Sequence, residues 1–228
     1  MSIVFDSGTL ISFSQSCLIE ILERLQKNLG QEFLVSNTVY REIVVNPMKI
    51  RRFELNAVRL HKAIESKWLT LIDATPMEIA RMNELSTLAN QSYLIDHHCL
   101  NIVQGGESEA LAICNERRID VLAMDERTTR MLIENPGQLQ NLLRERNQKP
   151  VEMMEQNARQ FGEPFKDLTI VRSVELLALA YSRGLFEPTL AQRPAALEAG
   201  LFALKFAGCA VSENEITEYL ENPDRNRK

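Results

Sequence analysis

The chain has no run of eighteen or more apolar residues, and its opening, Met1-Ser2-Ile3-Val4-Phe5-Asp6, lacks a basic stretch followed by a long apolar one. Neither a membrane span nor a secretory leader is expected, and the expected location is the cytoplasm. Cysteine is scarce: four residues, at 17, 99, 114 and 209, none at Cys-x-x-Cys spacing. That excludes the usual zinc ribbon and redox pair, and the four are expected as buried small hydrophobes in a reducing compartment. Histidine is scarcer, with three, and His97 and His98 lack partners at zinc-ligand spacing. No glycine-rich phosphate loop and no serine or cysteine hydrolase motif is present. Basic charge is in deficit, 26 Lys and Arg against 31 Asp and Glu, for a net −5. This argues against a general nucleic-acid coat protein, although a local basic patch can still hold phosphates. There is no internal repeat or low-complexity tract.

What remains is a chain of 228 residues, 45% apolar, long enough to bury a full core as one large domain or as one domain with a helical extension. Ile3-Val4-Phe5 reads as a buried strand that stops at Asp6, with Ser7, Gly8 and Thr9 as turn and cap residues. Leu18, Ile21, Leu22 and Leu25 recur at helical spacing, and Gly30 ends that helix. Phe33-Leu34-Val35 is a second strand. Ser36, Asn37 or Thr38 can cap the helix that carries Glu42, which ends at Asn46-Pro47. Residues 50–66 form a basic amphipathic helix, 68–73 a strand, and Thr75-Pro76 opens a helix to about 90. Gly105-Gly106 starts the helix of Glu107 and Glu109. Ile119 to Met124 is the most strand-like run, and Asp125 follows it and can cap the next helix. The stretch 135–167 reads as helical insertion and loop rather than core. A last strand over 168–171 precedes helices at 174–181, 194–207 and 212–221, and a polar tail from Asn222 to Lys228 is expected to fray.

Strands alternating with helices predict an α/β fold with a mostly parallel sheet covered on both faces. Sites in such sheets form outside the carboxyl ends of the strands, where Asp6 and Asp125 both fall. Glu42 and Glu109 are the further acids such a fold can gather, with Glu107 an alternative to Glu109. Taken singly, each has a structural role available: Asp6 and Asp125 as helix caps, Glu107 and Glu109 as favourable charge in a first helical turn, Glu42 as a solvated helix residue. Gathered, they form a like-charge cluster that is costly until protons or cations neutralise it. Oxygen-only ligands suit Mg²⁺ or Mn²⁺, which serve phosphodiester hydrolysis. The segment 46–67, with Lys49, Arg51, Arg52, Arg59 and Lys62, is the strongest basic patch, and Arg127 and Arg130 follow Asp125 closely.

In this order, Val-Phe-Asp-Ser-Gly, Val-Tyr-Arg-Glu, Gly-Glu-Ser-Glu-Ala-Leu-Ala-Ile and Leu-Ala-Met-Asp-Glu-Arg-Thr-Thr-Arg resemble the PIN-domain nucleases. The resemblance covers roughly 2–133 and resumes at about 168–185, and it is similar to the VapC-toxin-like prokaryotic branch that carries Gly-Glu-x-Glu-Ala. It implies a PIN-like domain over 1–185, with the insertion at about 135–167 and a C-terminal helical extension over 186–228 packed on it. It implies a metal-dependent endoribonuclease with Asp6, Glu42, Glu109 and Asp125 as the acidic site, Glu107 as a further candidate ligand, and Mg²⁺ or Mn²⁺ as cofactor. Ser7, Thr9, Arg51, Arg52, Arg127 and Arg130 are the expected contacts to RNA. The same resemblance implies a homodimer and, for a toxin of a toxin–antitoxin pair, an antitoxin protein as partner. The rival readings are an inactive PIN-fold module that binds RNA or protein, and a metal-dependent phosphoesterase acting on small substrates. Asp96-His97-His98-Cys99 matches a tetrapeptide of membrane palmitoyltransferases, but without their cysteine-rich zinc scaffold or membrane helices it reads as helix or loop near the site mouth.

Overall fold

The computed structural model describes residues 2–223. In chain order the elements are β1 (Ser2–Phe5), α1 (Ser7–Gln15), α2 (Ile19–Leu29), β2 (Glu32–Ser36), α3 (Asn37–Tyr40), α4 (Arg51–Glu65), β3 (Leu69–Ile72) and α5 (Pro76–Asn90). They continue with β4 (Tyr93–Ile95), β5 (His98–Cys99), α6 (Gly105–Arg117), β6 (Val121–Ala123), α7 (Arg127–Glu134), α8 (Pro136–Asn147), β7 (Glu152–Met153) and α9 (Glu155–Gly162). The last are β8 (Thr169–Val171), α10 (Ser173–Ser182), α11 (Pro194–Ala207) and α12 (Glu213–Glu221). Most of the expected tail, from residue 224, lies outside the described residues.

Five strands form one parallel sheet in the order β3-β2-β1-β6-β8. The mostly parallel α/β fold expected from the sequence is thus the fold observed. Alternate strand residues serve opposite faces. Ile3, Phe5, Phe33, Val35 and Ala123 join one core, with α1, α2, α10 and α11. Val4, Leu34, Leu122 and Met124 join the other, with α5, α6 and α8. Both faces are covered, which is why these strands read as continuous apolar runs.

Because the sheet is parallel, all five strands end on the same side. Phe5 pairs with Ala123, and the Asp6 N–H donates to the Ala123 carbonyl at 2.9 Å. The residues following β1 and β6, Asp6 and Met124-Asp125, therefore emerge side by side.

Several expectations need correction. The stretch 135–167 is helical, but it is not outside the core: Leu139, Leu143, Val151, Ala158, Phe161 and Phe165 are all buried in the second core cluster. The tetrapeptide at 96–99 is a hairpin corner. Asp96 and His97 take positive φ, 50° and 66°, between β4 and β5, and with β7 these form a small antiparallel sheet. Two-residue strands such as β5 and β7 carry too little pattern to be seen in advance. Cys114 and Cys209 are buried, but Cys17 and Cys99 are exposed. Among the described residues no helix is long and apolar enough to cross a membrane.

The last two helices pack onto the sheet domain. Leu197, Leu201, Leu204, Ile216 and Tyr219 belong to the same core cluster as β1 and α1. At Gly200 a Cβ would lie 2.7 Å from Leu177 Cδ2, so glycine sets the close approach of α11 to α10. The guanidinium of Arg172, just before α10, is buried and donates to Glu175 (2.9 Å), Glu215 (2.9 Å), the Ala210 carbonyl (3.0 Å) and the Tyr219 hydroxyl (3.2 Å). It ties α10 to α12 and holds the turn after α11 in place.

Candidate functional site

Asp6 caps α1: the Gly8 N–H donates to its Oδ2 at 3.2 Å. Ser7, Gly8 and Thr9 are thus the first turn of α1 rather than a preceding turn. The cap uses one carboxylate oxygen. The other, Oδ1, is buried with no hydrogen-bond partner. Burial and the nearby Glu107 carboxylate push the Asp6 carboxyl from 3.8 up to about 7, against the pull of the Gly8 and Ser7 N–H groups and with a further push from Glu42.

Asp125 is not the cap of α7. Glu126 takes that role, accepting the Thr129 N–H. Asp125 is instead held by Ser12 of α1, whose hydroxyl donates to Oδ2 at 2.8 Å, and by the Ser173 N–H at the start of α10, which donates to Oδ1 at 2.7 Å. Two different elements fix its carboxylate, and it is buried. Gly8 lies between the two aspartates, since a Cβ there would sit 3.3 Å from Asp6 Oδ2 and 3.7 Å from Asp125 Cβ.

Glu107 completes the group. Its Oε2 accepts the Gln104 N–H at 3.0 Å, closing the N-terminus of α6, and accepts the Thr129 hydroxyl at 2.8 Å. Burial raises its carboxyl, with the Glu126 and Glu42 charges adding to the rise against the Gln104 and Thr129 hydrogen bonds. Asp6, Glu107 and Asp125 line one open cleft of about 210 Å³, with Ser7, Ser12, Ala207 and Gly208 on its walls.

Glu42 lies at the edge of this group. It sits on a π-helical stretch, Arg41–Val45, that continues α3, rather than on a regular helix. Its carboxylate rests over Gly106, where a Cβ would fall 2.8 Å from Oε2 and 2.9 Å from Oε1. Glu109 is placed elsewhere: its Oε2 accepts the Thr38 N–H at 3.1 Å, in the first turn of α3. As the third acid beside Asp6 and Asp125, the structure therefore offers Glu107 rather than Glu109. Helical phase decides this, because residues two apart on α6 face different neighbours.

Ser7 borders the cleft, but Thr9 is fully buried with its hydroxyl unpartnered, so it does not face the cleft as expected. Arg51 and Arg52 open α4, exposed, and line neither the acidic cleft nor the basic one beside it. Arg127 and Arg130 line that second cleft. Sequence reasoning missed Ser12, Thr129 and Ser173. Ser173 follows β8, so the strand-end rule that marked Asp6 and Asp125 also marks it. Ser12 and Thr129 carry no such signal. A cavity of about 520 Å³ lies near the amino end of β3 between Cys17, Arg59 and Trp68, and none of these acids lines it.

As the side chains stand, no three His, Cys, Asp or Glu among the described residues converge into a ready-made metal cage. The donor set nevertheless fits a hard divalent cation. It offers only oxygens, one of them is a buried Asp6 oxygen without a partner, and two of its carboxyls, Asp6 and Glu107, are pushed toward protonation by burial and by neighbouring carboxylates.

A parallel α/β sheet with an acidic cleft at its carboxyl end is a nuclease-type arrangement. A family model described as a PIN domain matches residues 2–138, and the chain belongs to that family. PIN domains are generally nucleases and generally use divalent metals. No curated protein and no solved structure matches the chain.

Proposed function

We propose that the protein is a metal-dependent endoribonuclease in which Asp6, Glu107 and Asp125, with Glu42 beside them, hold Mg²⁺ or Mn²⁺. The observation that carries this reading is the gathering of Asp6, Glu107 and Asp125 in one cleft, with the Asp6 and Glu107 carboxyls raised by burial and by neighbouring negative charge. Buried like charges of this kind are stable when a cation joins them, and perturbed carboxyls in a cleft mark functional sites. A divalent ion there would neutralise charge on the scissile phosphate and make the attacking water more acidic. The chain's own residues do the positioning. Ser12 and the Ser173 N–H aim the Asp125 carboxylate, Thr129 does the same for Glu107, and the helix start at Gly8 fixes Asp6.

The toxin reading and a homodimer are finer proposals. Their support is apolar exposure on α4, where Leu55 is 61% and Val58 47% exposed next to Ile50 at 49%. RNA phosphates do not cover such a face, and a protein does. A small antitoxin-like reading frame beside this gene, and a dimer mass in solution, are the observations that bear on them. The test of the main reading is cleavage of single-stranded RNA by the purified protein with Mn²⁺. Asp6→Asn and Asp125→Asn should each abolish it while the circular dichroism spectrum is unchanged. Cleavage that survives both substitutions, or that persists in EDTA, would refute the proposal.

A further inference from the structure

The acidic cleft has a basic neighbour. A second cleft, about 490 Å³, is lined by Arg127, Arg130 and Lys205 together with Cys209, Ser212 and others. The two clefts meet at successive residues on two separate segments: Glu126 lines one and Arg127 the other, and Gly208 lines one and Cys209 the other. The cations in the basic cleft are weakly engaged. Arg127 is exposed with no ion pair among the described residues. The Nη1 of Arg130 is buried without a partner, and its Nε lies 3.8 Å from Glu134. Lys205 pairs with Glu213 at 3.1 Å, but Glu213 is 75% exposed. The one acid lining the cleft, Glu215, is already held by Arg172 and the Ser212 N–H.

Beside Lys205 stands the most exposed large apolar side chain described, Phe206, at 81%. Phe202, Lys205 and Phe206 share one face of α11, at spacings of three and four residues. The two rings stack, 6.2 Å apart at 27°, and the Lys205 ammonium lies 5.7 Å from the Phe202 ring centre. Phe206 is thus oriented by Phe202 while most of its surface meets water. All of α11 lies beyond residue 138, outside the span matched by the PIN model.

We propose that the end of α11 and the basic cleft form a nucleotide subsite next to the acidic one: Arg127, Arg130 and Lys205 take a backbone phosphate, and Phe206 stacks on an unpaired base. This rests on the ribonuclease reading and adds to it a base-stacking platform outside the matched span. Successive cations and an aromatic platform are what single-stranded nucleic acid requires, whereas the base faces of a duplex are already stacked.

The test is fluorescence anisotropy of a labelled, unstructured 12-nucleotide RNA and of a hairpin of the same composition, in EDTA so that no hydrolysis intervenes. Phe206→Ala should weaken single-strand binding by about tenfold and leave hairpin binding unchanged, with Phe206→Trp close to wild type. Replacing Arg127 and Arg130 by Gln should lower the slope of log affinity against log salt by about 0.7, the contribution of the one phosphate they hold. Equal single-strand affinity of wild type and Phe206→Ala, equal losses on both RNAs, an unchanged salt slope, or no single-strand binding by wild type would each overturn the subsite. Since binding is read without cleavage, the two proposals fail separately. Phe206-dependent binding without Mn²⁺-dependent cleavage keeps the subsite and removes the nuclease. Cleavage indifferent to Phe206 does the reverse.

Discussion

Replacing Asp6 by Asn should stabilise the metal-free protein at alkaline pH, although Asp6 caps a helix. Asparagine caps as well as aspartate, so the Gly8 hydrogen bond survives and only the charge is lost. The sign follows from linkage. In the unfolded chain Asp6 loses its proton near 3.8, and in the folded chain only near 7. Between those values the folded state holds one more proton than the unfolded state, so stability falls as pH rises through the window. At about 1.36 kcal/mol per unit, the cost to the wild type is about 1 kcal/mol at pH 4.5 and about 4 kcal/mol at pH 8. The Asn variant avoids it. Urea denaturation in EDTA at the two pH values measures the gap between variant and wild type, which should widen by about 3 kcal/mol, or roughly 1–3 M in midpoint for an m of about 1–3 kcal/mol/M. Other carboxylates largely cancel in that difference. A gap that stays constant with pH, or a variant less stable at pH 8 than at pH 4.5 relative to wild type, would refute the claim that burial and the neighbouring carboxylates raise Asp6. Saturating Mn²⁺ should narrow the gap at pH 8 by stabilising the wild type, by about 2.7 kcal/mol at a hundred times its dissociation constant.

Gly106→Ala places a methyl group 2.8 Å from the Glu42 carboxylate, and because that is the far end of a flexible side chain, the fold should hold while the carboxylate moves; calorimetry should show weaker Mn²⁺ binding with an unchanged melting temperature. Arg172→Met should destabilise the protein by about 3 kcal/mol in urea unfolding, because it leaves Glu175 and Glu215 without the buried guanidinium that joins α10 to α12. Charge reversal at Arg51 and Arg52 tests RNA binding by α4: weaker binding with a flatter salt dependence would support it, and unchanged RNA affinity would leave α4 to a protein partner. Mn²⁺ affinity should rise with pH up to about 7, as the proton on Asp6 stops competing with the ion, and level off above; titration calorimetry at pH 6 and 8 checks this.

The sheet was legible because its central strands β1, β2 and β6 are buried on both faces and announce themselves as apolar runs ending at a polar residue. Asp6 and Asp125 were legible for the same reason, since strand ends on one side of a parallel sheet must converge. What two helical residues face was not legible. Glu107 and Glu109 lie two residues apart near one helix start, and only the packing of α6 against α3 and α7 sends one to the cleft and the other to Thr38. The supports of Asp125 were hidden as well, because Ser12 and Ser173 are 113 and 48 residues away from it in sequence. The stretch 135–167 looked peripheral because its many Gln, Arg and Glu obscure the spaced Leu139, Leu143, Ala158 and Phe161 that enter the core. The end of α11 was overlooked because nothing in Lys205-Phe206-Ala207-Gly208 refers to an acid two hundred residues earlier.

The most direct test of the account is a crystal of the protein soaked in Mn²⁺, with anomalous diffraction collected at the manganese edge. The account predicts a peak within about 2.2 Å of carboxylate oxygens from both Asp6 and Asp125, with Glu107 rather than Glu109 as the third acid. A peak bound only by other residues, or no peak at millimolar Mn²⁺ and pH 8 with the cleft open to solvent, would contradict it.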